Sequence, residues 1–263
     1  MRAAVVGGTG TLGALVVEEL ARRGHQVRVL SRRAPVRSGA FEYRRVDLVS
    51  GAGLPEALSG VEVVVDASNV LRPGRAMEDV LVRGTERLLA SGAEVGVRHH
   101  ALISIVGIDG LRFSYYAVKQ AQEQAVLEGP VPAGVLRSTQ FHQLLAHLFA
   151  AGARFGVLPA GPIPLQPIDA REVALTLVND LEEGPWVGRR EIAGPEIAPL
   201  RELARNWLAA TGRRRLLVPL PVFGATGRAL RAGALTAPEA RRGTLTFARW
   251  LREAGTAAGV VER

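Results

Sequence analysis

A glycine cluster near the start of the chain constrains the fold more than any other feature. The stretch VVGGTGTLGALVVEEL places a β-type run at Ala3–Val6 before the cluster and a helical pattern at Leu12–Arg22 after it. Both the G-x-G-x-x-G and the G-x-x-G-x-x-G spacings fit. Glycine permits a tight turn and lets backbone N–H groups at the helix start approach a pyrophosphate without an obstructing Cβ. We predict a dinucleotide-binding loop that uses Gly7, Thr9, Gly10, Thr11, Leu12 and Gly13.

The first half of the chain alternates short β-rich runs with amphipathic stretches, a pattern typical of βαβ units. The predicted strands are Ala3–Val6, Gln26–Leu30, Glu42–Val46, Val61–Asp66, Ala101–Val106 and Gly134–Leu136. The predicted helices are Leu12–Arg22, Ala76–Ser91 and Ser114–Leu127, and a later helix has Asp169 as its N-cap. We therefore expect an α/β protein. A Rossmann-type doubly wound parallel sheet would occupy residues 1–152, and a smaller C-terminal α/β substrate lobe, with some return to the core sheet, residues 153–263.

Composition excludes several classes of function. The 263 residues include no cysteine, which excludes disulfides, thiolate catalysis and Cys-ligated zinc, and the five histidines lack metal-ligand spacing. We therefore predict no metal site. No signal-peptide pattern is visible, and the apolar runs are too short to span a bilayer, so we expect a soluble cytoplasmic protein.

The charge balance bears on the partners. The net charge of +8 comes from arginines spread along the whole chain, and aromatic residues make up only 5%, which leaves few platforms for base stacking. We expect a small-molecule substrate, no nucleic-acid partner and no membrane partner. A homodimer is left open.

The end of the second predicted strand carries two adjacent cations. The sequence VRVLSRR places Ser31, Arg32 and Arg33 where NAD-selective sites usually carry an acid that binds the ribose 2′-hydroxyl. Guanidinium groups instead bind a 2′-phosphate through charge-assisted bonds, each contributing about 1.5–3 kcal/mol. The alternative is that Arg32 and Arg33 are ordinary surface residues of an Arg-rich chain. Because Arg32 lies 19 residues after Gly13, close to the usual spacing, we predict NADP(H) as the cofactor.

Residues after the third and fourth predicted strands are also candidates for cofactor binding. Asp47, with Leu48 beside it, could accept a hydrogen bond from the adenine amino group, or Asp47 could be an ordinary cap residue. The sequence VDASN ends the fourth strand in small polar residues, where the backbone must pass close to the cofactor riboses. The predicted contacts there are Ala67, Ser68 and Asn69.

Lys119 is the only lysine, since 32 of the 33 basic residues are arginine. Tyr115 precedes it by four residues on a predicted helix, so the two side chains share a face. A phenol with a pKa near 10 needs about 3–4 kcal/mol to work as an acid or base near pH 7–8. An ammonium about 4 Å away supplies about 4 kcal/mol, and its compact shape can touch a ribose hydroxyl and a phenol together. Tyr116, three residues before Lys119, is the competing candidate.

Taken together, the motifs resemble the short-chain dehydrogenase/reductase superfamily and, within it, the atypical NmrA-like NAD(P)H-binding branch. The resemblance rests on VVGGTGTLG, LSRR, ALISIVGID, SYYAVKQAQE, VLRSTQFHQLL and LQPIDAREVA. It implies that Tyr115 is the general acid/base, and that Lys119 binds the nicotinamide ribose and lowers the pKa of the phenol. It also implies that Ser104 hydrogen-bonds the substrate carbonyl, with an ordinary strand serine as the alternative, and that Gln140 lies at the nicotinamide end.

The predicted function is an NADPH-dependent oxidoreductase with Tyr115 as general acid/base. Hydride would pass to a carbonyl, quinone or activated C=C of a small substrate. The Pro/Gly-rich segment Gly156–Pro167 carries few polar anchors, which indicates an apolar or aromatic substrate. The alternatives are a non-catalytic NADP(H)-binding regulator or redox sensor and a nucleotide-assisted isomerase or epimerase.

Overall fold

The computed structural model describes residues 1–33, 41–70 and 74–256. The strands are β1 (Arg2–Val6), β2 (Gln26–Ser31), β3 (Glu42–Arg45), β4 (Val63–Asp66), β5 (His99–Ile105), β6 (Ala133–Ser138), β7 (Val157–Ala160), β8 (Pro164–Leu165), β9 (Gly188–Ala193), β10 (Ala198–Pro199), β11 (Leu216–Pro219) and β12 (Arg241–Arg242). The helices are α1 (Thr11–Arg22), α2 (Leu54–Leu58), α3 (Arg75–Leu81), α4 (Arg83–Glu94), α5 (Ser114–Leu127), α6 (His142–Arg154), α7 (Ala170–Glu183), α8 (Leu200–Thr211), α9 (Gly224–Arg231) and α10 (Phe247–Thr256), with a 3₁₀ turn at Ile108–Gly110.

Eight strands form one sheet in the order β12-β9-β6-β5-β4-β1-β2-β3. The pairs β1–β2, β1–β4, β2–β3, β4–β5 and β9–β12 are all parallel. The strand order reverses at β1, whose neighbours are β2 on one side and β4 on the other. In open parallel sheets, ligands bind beyond the carboxyl ends of the strands at such a reversal. The topology therefore places the expected site at the carboxyl end of β1.

The chain divides into two compact units, each assembled from three segments. The first comprises Met1–Ser104, Phe113–Arg137 and Val173–Arg190. Its core contains large aliphatic residues that are almost fully buried, among them Leu30, Leu54, Leu58, Leu88, Leu102 and Val135. The four valines and alanines of β1 from Ala3 to Val6 are at most 3% exposed, as expected of a central strand covered on both faces.

The second unit comprises Ile105–Arg112, Ser138–Glu172 and the chain from Glu191 onward. Phe149, Trp207 and Phe247 are fully buried there, with the Phe149 ring centroid 6.2 Å from that of Trp207 and 6.4 Å from that of Phe247. Two short ladders also belong to this unit, antiparallel β8–β10 and parallel β7–β11. A single division of the sequence after residue 152 does not describe this interleaving, and the last residues of the predicted lobe, 257–263, lie outside the described ranges.

Most predicted elements are present, and one differs. Helix α5 has the predicted bounds, and Asp169 caps α7 because its Oδ1 accepts a bond of 2.8 Å from the Arg171 backbone N–H. The helix predicted at Ala76–Ser91 is two helices, α3 and α4, interrupted at Val82. Just after the interruption, Gly84 packs tightly, since a Cβ there would lie 2.9 Å from the Cβ of Leu48.

Replacing Gly134 by alanine tests the packing of β6. A Cβ at this position would lie 2.0 Å from Cε2 of Trp186, whose indole is 6% exposed. We expect Gly134→Ala to lower the free energy of unfolding by about 1–3 kcal/mol, because the strand and the indole must move apart. Urea unfolding followed by tryptophan fluorescence measures the change.

The matched control is Gly110→Ala, because a Cβ there would have no heavy atom of the described residues within 4 Å. It should leave the unfolding midpoint nearly unchanged. Equal midpoints for the two variants would contradict the close approach of β6 to Trp186.

Candidate functional site

The turn between β1 and α1 brings two backbone segments into close contact. Gly7 has φ +71°, which glycine adopts readily, and its carbonyl accepts a 2.9 Å bond from the Gly10 N–H. A Cβ at Gly7 would lie 2.7 Å from the carbonyl oxygen of Ala67, and a Cβ at Gly13 would lie 2.2 Å from the carbonyl oxygen of Gly7. A side chain at position 7 would therefore push the turn away from the segment that follows β4, and one at position 13 would push α1 away from the turn.

The start of α1 is suited to an anion. Thr9, Gly10 and Thr11 are exposed, whereas Leu12 and Gly13 are buried and anchor the first turn. The first turn of α1 contains no acidic residue, and no side chain among the described residues caps the helix. The backbone N–H groups at the start of a 12-residue helix thus face outward beside a glycine cradle. This arrangement fits the pyrophosphate of a dinucleotide.

Two exposed cations follow β2, the strand next to β1. Ser31 ends β2, and its hydroxyl donates to the carbonyl of Arg33 at 2.5 Å, which fixes a tight local turn. Arg32 and Arg33 are both exposed. The structure therefore places two guanidinium groups at the carboxyl end of the strand that neighbours the glycine turn.

Asp47 and Leu48 have local structural roles after β3. The Asp47 Oδ1 accepts a 3.0 Å bond from the Val49 N–H, and its backbone carbonyl accepts from Gly51 N–H at 2.8 Å. These bonds match the cap role that the sequence left open for Asp47. Leu48 is 8% exposed and belongs to the core of the first unit, so only its backbone is left for the predicted cofactor contact.

The segment Ala67–Asn69 joins the glycine turn to α5. Ala67 provides the carbonyl that faces Gly7, and the Ser68 N–H donates to Asp66 Oδ1 at 2.9 Å. Asn69 is exposed, and its Oδ1 accepts a 2.9 Å hydrogen bond from the Tyr115 hydroxyl. The Ser68 hydroxyl is buried with no hydrogen-bond partner among the described residues, as expected of a site that still has a polar group to receive.

Tyr115 and Lys119 lie on α5 four residues apart, as predicted, but their electrostatics differ from the expectation. Burial raises the pKa of Tyr115 to about 12, although the bond to Asn69 acts in the opposite direction. Lys119 is 3% exposed, and its Nζ donates to the Ile103 carbonyl at 2.9 Å. The expected lowering of the Tyr115 pKa is therefore wrong for this structure, because burial of the phenol dominates and the ammonium is directed to other acceptors.

Tyr116 remains the competitor on geometry, but it lacks the feature that distinguishes Tyr115. Burial also raises the pKa of Tyr116, and its ring packs 5.5 Å from that of Phe113 and 5.8 Å from that of Tyr115. The hydroxyl that bonds to the Ala67–Asn69 segment is that of Tyr115. This contact supports the choice of Tyr115 over Tyr116.

Ser104 lies in a buried cluster of charged groups. It is 2% exposed, and the neighbouring Glu123 carboxylate accepts bonds of 2.9 and 2.7 Å from the Arg137 guanidinium. Burial raises the pKa of Glu123, but hydrogen bonds from Arg137 and Arg189, together with the nearby Ser104 hydroxyl, outweigh it and leave the pKa below its ordinary value. The Ser104 hydroxyl itself is buried with no hydrogen-bond partner among the described residues, so its contact with the substrate carbonyl and its alternative role as an ordinary strand serine both stay predictions.

Gln140 belongs to the second unit, where both ends of its amide are used. Its Nε2 donates to the Leu235 carbonyl at 2.9 Å, and its Oε1 accepts from the Gln166 N–H at 3.2 Å. Its predicted contact with the nicotinamide end stays a prediction.

The sequence did not reveal the groups that surround Lys119. Burial lowers the pKa of Lys119 to about 8, while the negative charges of Asp66 and Glu123 act in the opposite direction. Gln122 Oε1 accepts a bond of 2.5 Å from the ammonium. The one available signal was the i,i+3 spacing of Lys119 and Gln122 on a predicted helix, which allows contact without indicating a role.

Metal-binding clusters and membrane-spanning helices are both absent from the described ranges. No group of three or more His, Asp or Glu side chains there is placed to hold a metal ion. No helix in residues 1–33, 41–70 and 74–256 is long and apolar enough to cross a bilayer.

Comparison with known proteins supports the nucleotide-binding interpretation. Residues 7–133, slightly less than half of the chain, match the family described as NAD(P)H-binding. This segment contains the glycine turn, the Ala67–Asn69 segment and the Tyr115–Lys119 pair. No curated protein sequence matches the chain.

Solved structures with similar folds extend over nearly the whole chain. A short-chain dehydrogenase/reductase superfamily protein from Agrobacterium tumefaciens with bound NAD is 21% identical, with a TM-score of 0.75 over 98% of this chain and 97% of that one. The UDP-glucose 4-epimerase of Thermotoga maritima is 16% identical, with a TM-score of 0.80 over 97% and 98%. The UDP-N-acetylglucosamine 4-epimerase of Bacillus cereus is 19% identical, with a TM-score of 0.73 over 98% and 96%.

These likenesses confirm the predicted fold, because the chain has the same α/β fold as a short-chain dehydrogenase/reductase superfamily protein. The NAD(P)H-binding match over residues 7–133 agrees with the predicted resemblance of the motifs. Assignment to the NmrA-like branch is compatible with the same findings.

The buried ammonium predicts an unusual dependence of stability on pH. The pKa of Lys119 is about 8 in the folded protein against an ordinary value of 10.5. Above pH 8 the folded state releases this proton while the unfolded chain keeps it, so the free energy of unfolding should rise with pH. Between pH 8 and 10 we expect a gain of about 2–3 kcal/mol, measured by urea unfolding at a series of pH values.

The Lys119→Met variant is the control, because no other lysine or cysteine titrates in this interval. Its stability should lack the rise. The interval ends near pH 10, since ionisation of the unfolded chain's tyrosines begins to lower stability there. A stability that falls between pH 8 and 10 in the unaltered protein, or an equal rise in the variant, would contradict the buried charge.

Proposed function

Because residues 7–133 match an NAD(P)H-binding family and the whole chain has the short-chain dehydrogenase/reductase fold, we propose that this protein is an NADPH-dependent oxidoreductase. Its reaction would transfer hydride to a carbonyl, quinone or activated C=C of a small apolar or aromatic substrate. One observation carries the proposal. The glycine turn and the Tyr115 hydroxyl both contact the Ala67–Asn69 segment, so a phosphate cradle and an acid/base group share one neighbourhood.

The choice of NADPH over NADH is supported by charge. Arg32 and Arg33 are exposed at the carboxyl end of β2, and the chain offers no acid at Ser31, the strand's last residue, to bind a ribose 2′-hydroxyl. Two guanidinium groups suit the 2′-phosphate of NADP(H). The Agrobacterium tumefaciens protein has NAD bound, so the proposed preference for NADPH rests on the arginines of this chain alone.

Tyr115 would serve as the proton donor. When bound, NADPH supplies the hydride that reduces the substrate. With a pKa raised to about 12, the phenol is protonated at neutral pH and can give its proton to the oxygen on which negative charge develops. A raised pKa therefore suits reduction better than oxidation, because a base that removes a hydroxyl proton would need the phenolate. Proton transfer of this kind contributes about 10²–10⁴-fold to the rate.

Lys119 would hold the ribose next to the phenol. An ammonium has three N–H donors, of which one goes to the Ile103 carbonyl and one to Gln122 Oε1. We assign the third to a ribose hydroxyl of the nicotinamide half. An arginine fork could not make these three divergent contacts from one point, which explains a lysine at this position in a chain that otherwise uses arginine.

A nucleotide-assisted epimerase is the second candidate, because two solved neighbours are sugar-nucleotide 4-epimerases. A non-catalytic regulator that binds NADP(H) is the third. A reductase oxidises NADPH in proportion to product, an epimerase retains its nucleotide through the cycle, and a regulator binds NADPH without turnover. Purified protein incubated with NADPH and a panel of carbonyls, quinones and enones separates the reductase from the other two.

Removal of the phenolic hydroxyl tests the acid/base assignment. Tyr115→Phe should lower kcat for NADPH oxidation by about 10²–10⁴-fold, because the proton donor is lost while the aromatic ring remains. NADPH affinity, measured by fluorescence titration, should change little. Tyr116→Phe is the matched control and should keep most of the activity. If the two variants lose activity equally, or if neither does, Tyr115 is not the acid.

The cofactor preference has an independent test. The double variant Arg32→Ala, Arg33→Ala should weaken NADPH binding by about 10²–10³-fold, since two charge-assisted contacts to the 2′-phosphate disappear. NADH binding should weaken by less than about threefold, because it lacks that phosphate. The double variant Arg201→Ala, Arg205→Ala removes two exposed arginines of α8 and controls for net charge. Equal losses for the two cofactors in the first variant would overturn the NADP assignment.

A further inference from the structure

A chain of buried polar groups connects the Ala67–Asn69 segment to Lys119. The Ser68 N–H donates to Asp66 Oδ1 at 2.9 Å, and Asp66 Oδ2 accepts from the Thr85 hydroxyl at 3.0 Å. Gln122 Nε2 then donates to the Thr85 oxygen at 3.0 Å and to Asp66 Oδ2 at 3.3 Å. Its Oε1 accepts from Lys119 Nζ at 2.5 Å. This series of hydrogen bonds thus begins at β4, passes through α4 and ends at α5.

Because the four side chains are buried, the loss of any hydrogen bond between them would destabilise the fold. Asp66, Thr85 and Gln122 are 0% exposed, and Lys119 is 3% exposed. A buried polar atom without a partner costs more than an exposed one, and a partly satisfied network is less stable than a complete one. Four side chains from three elements would not remain polar in this position without a structural or functional requirement.

The orientation of the Gln122 amide follows from its neighbours. An ammonium can only donate hydrogen bonds, so Lys119 must face the amide oxygen. An ionised carboxylate can only accept them, so Asp66 must face the amide nitrogen. Reversal of the amide would break both contacts. Gln122 is therefore locked in one orientation, with its acceptor directed at the lysine.

We infer that Gln122, held in place by Thr85 and Asp66, is a positioning residue that holds the Lys119 ammonium and links it to the Ala67–Asn69 segment. It touches the lysine and acts through it. The geometry of this link is independent of the reaction, whereas its catalytic meaning rests on the proposed function. A side chain on β4 would in this way set the position of a cation on α5.

The other groups that act on the ammonium must be separated from Gln122. Asp66 and Glu123 stabilise the charge of Lys119 from β4 and from α5 itself, and the backbone carbonyl of Ile103 accepts from it on β5. The His100 side chain interacts with Asp66, but burial lowers the pKa of His100 to about 4, so its imidazole is neutral when Lys119 titrates. The variants below leave these groups in place.

The single lysine makes a direct measurement practical. Protein grown with ¹³C- and ¹⁵N-labelled lysine has one side-chain Cε–Hε signal, which reports the ionisation of Lys119 alone. In the unaltered protein the signal should titrate with a pKa of about 8. Gln122→Met keeps the length of the side chain and removes the acceptor. We expect the variant to titrate about one to two pH units lower, because a bond to a charged group is lost.

Two further variants distinguish positioning from packing. Thr85→Val preserves shape and removes one support of the amide, so it should also lower the pKa of Lys119, by less than Gln122→Met does. Gln122→Glu keeps an acceptor and adds a negative charge, so it should raise that pKa above the value in the unaltered protein. The control Gln124→Met makes the same substitution at an exposed position of α5 and should leave the titration unchanged.

Binding of NADPH provides a second readout. Gln122→Met should weaken NADPH by about tenfold, since the ammonium that is assigned to the ribose loses its fixed position. Gln124→Met should bind NADPH as the unaltered protein does. If Gln122→Met does not fold, the comparison of Thr85→Val with the unaltered protein carries the test.

The outcomes separate this inference from the proposed function. An unchanged Lys119 titration in both Gln122→Met and Thr85→Val would overturn the positioning role, whatever the protein binds. If the titration shifts as expected but the unaltered protein fails to bind NADPH, the positioning geometry stands and the proposed function fails.

Discussion

The close approach of the Gly7 backbone to the Ala67 carbonyl is the contact on which the rest of the site depends. It requires a residue without a side chain in a left-handed conformation at the end of β1, and it allows α1 to begin after only four intervening residues. The segment Ala67–Asn69 then lies between the turn and α5. Because the same segment accepts the Tyr115 hydroxyl and connects to Asp66, one backbone contact positions both the phosphate cradle and the acid/base pair.

The first unit also contains several buried charged side chains. Lys119 and Asp66 are almost fully buried, and so is the Glu123–Arg137 pair, whose partners are 2.7 Å apart. Buried ion pairs rarely stabilise a fold more than apolar residues of the same volume would, because desolvation offsets their attraction. Their presence beneath the candidate site is better explained by function, since a cation held at a defined point needs counter-charges and oriented acceptors around it.

The sequence predicts those parts of the site whose cause is local. The glycine spacing specifies a turn between adjacent elements, and α5 has its predicted bounds because a serine start and a Gly-Pro end flank one continuous pattern. Features that depend on distant partners were missed. Ser104 lies beside Glu123, Leu48 lies in the core, and Gln122 meets Thr85 and Asp66, which are 37 and 56 residues away in the chain. The direction of the Tyr115 pKa was wrong for the same reason, since burial is a property of the tertiary structure.

The burial of the only lysine has a practical consequence for the chemistry of the whole protein. Because Lys119 is buried on α5 and arginine is the only other cationic side chain apart from histidine, the side chains present no accessible primary amine. In the folded protein, amine-directed reagents that biotinylate, cross-link or immobilise most proteins would therefore react with the terminal amino group alone. A reagent could reach the ε-amine only when the first unit opens locally. The rate at which this one side chain is acylated would therefore measure the rate of that opening.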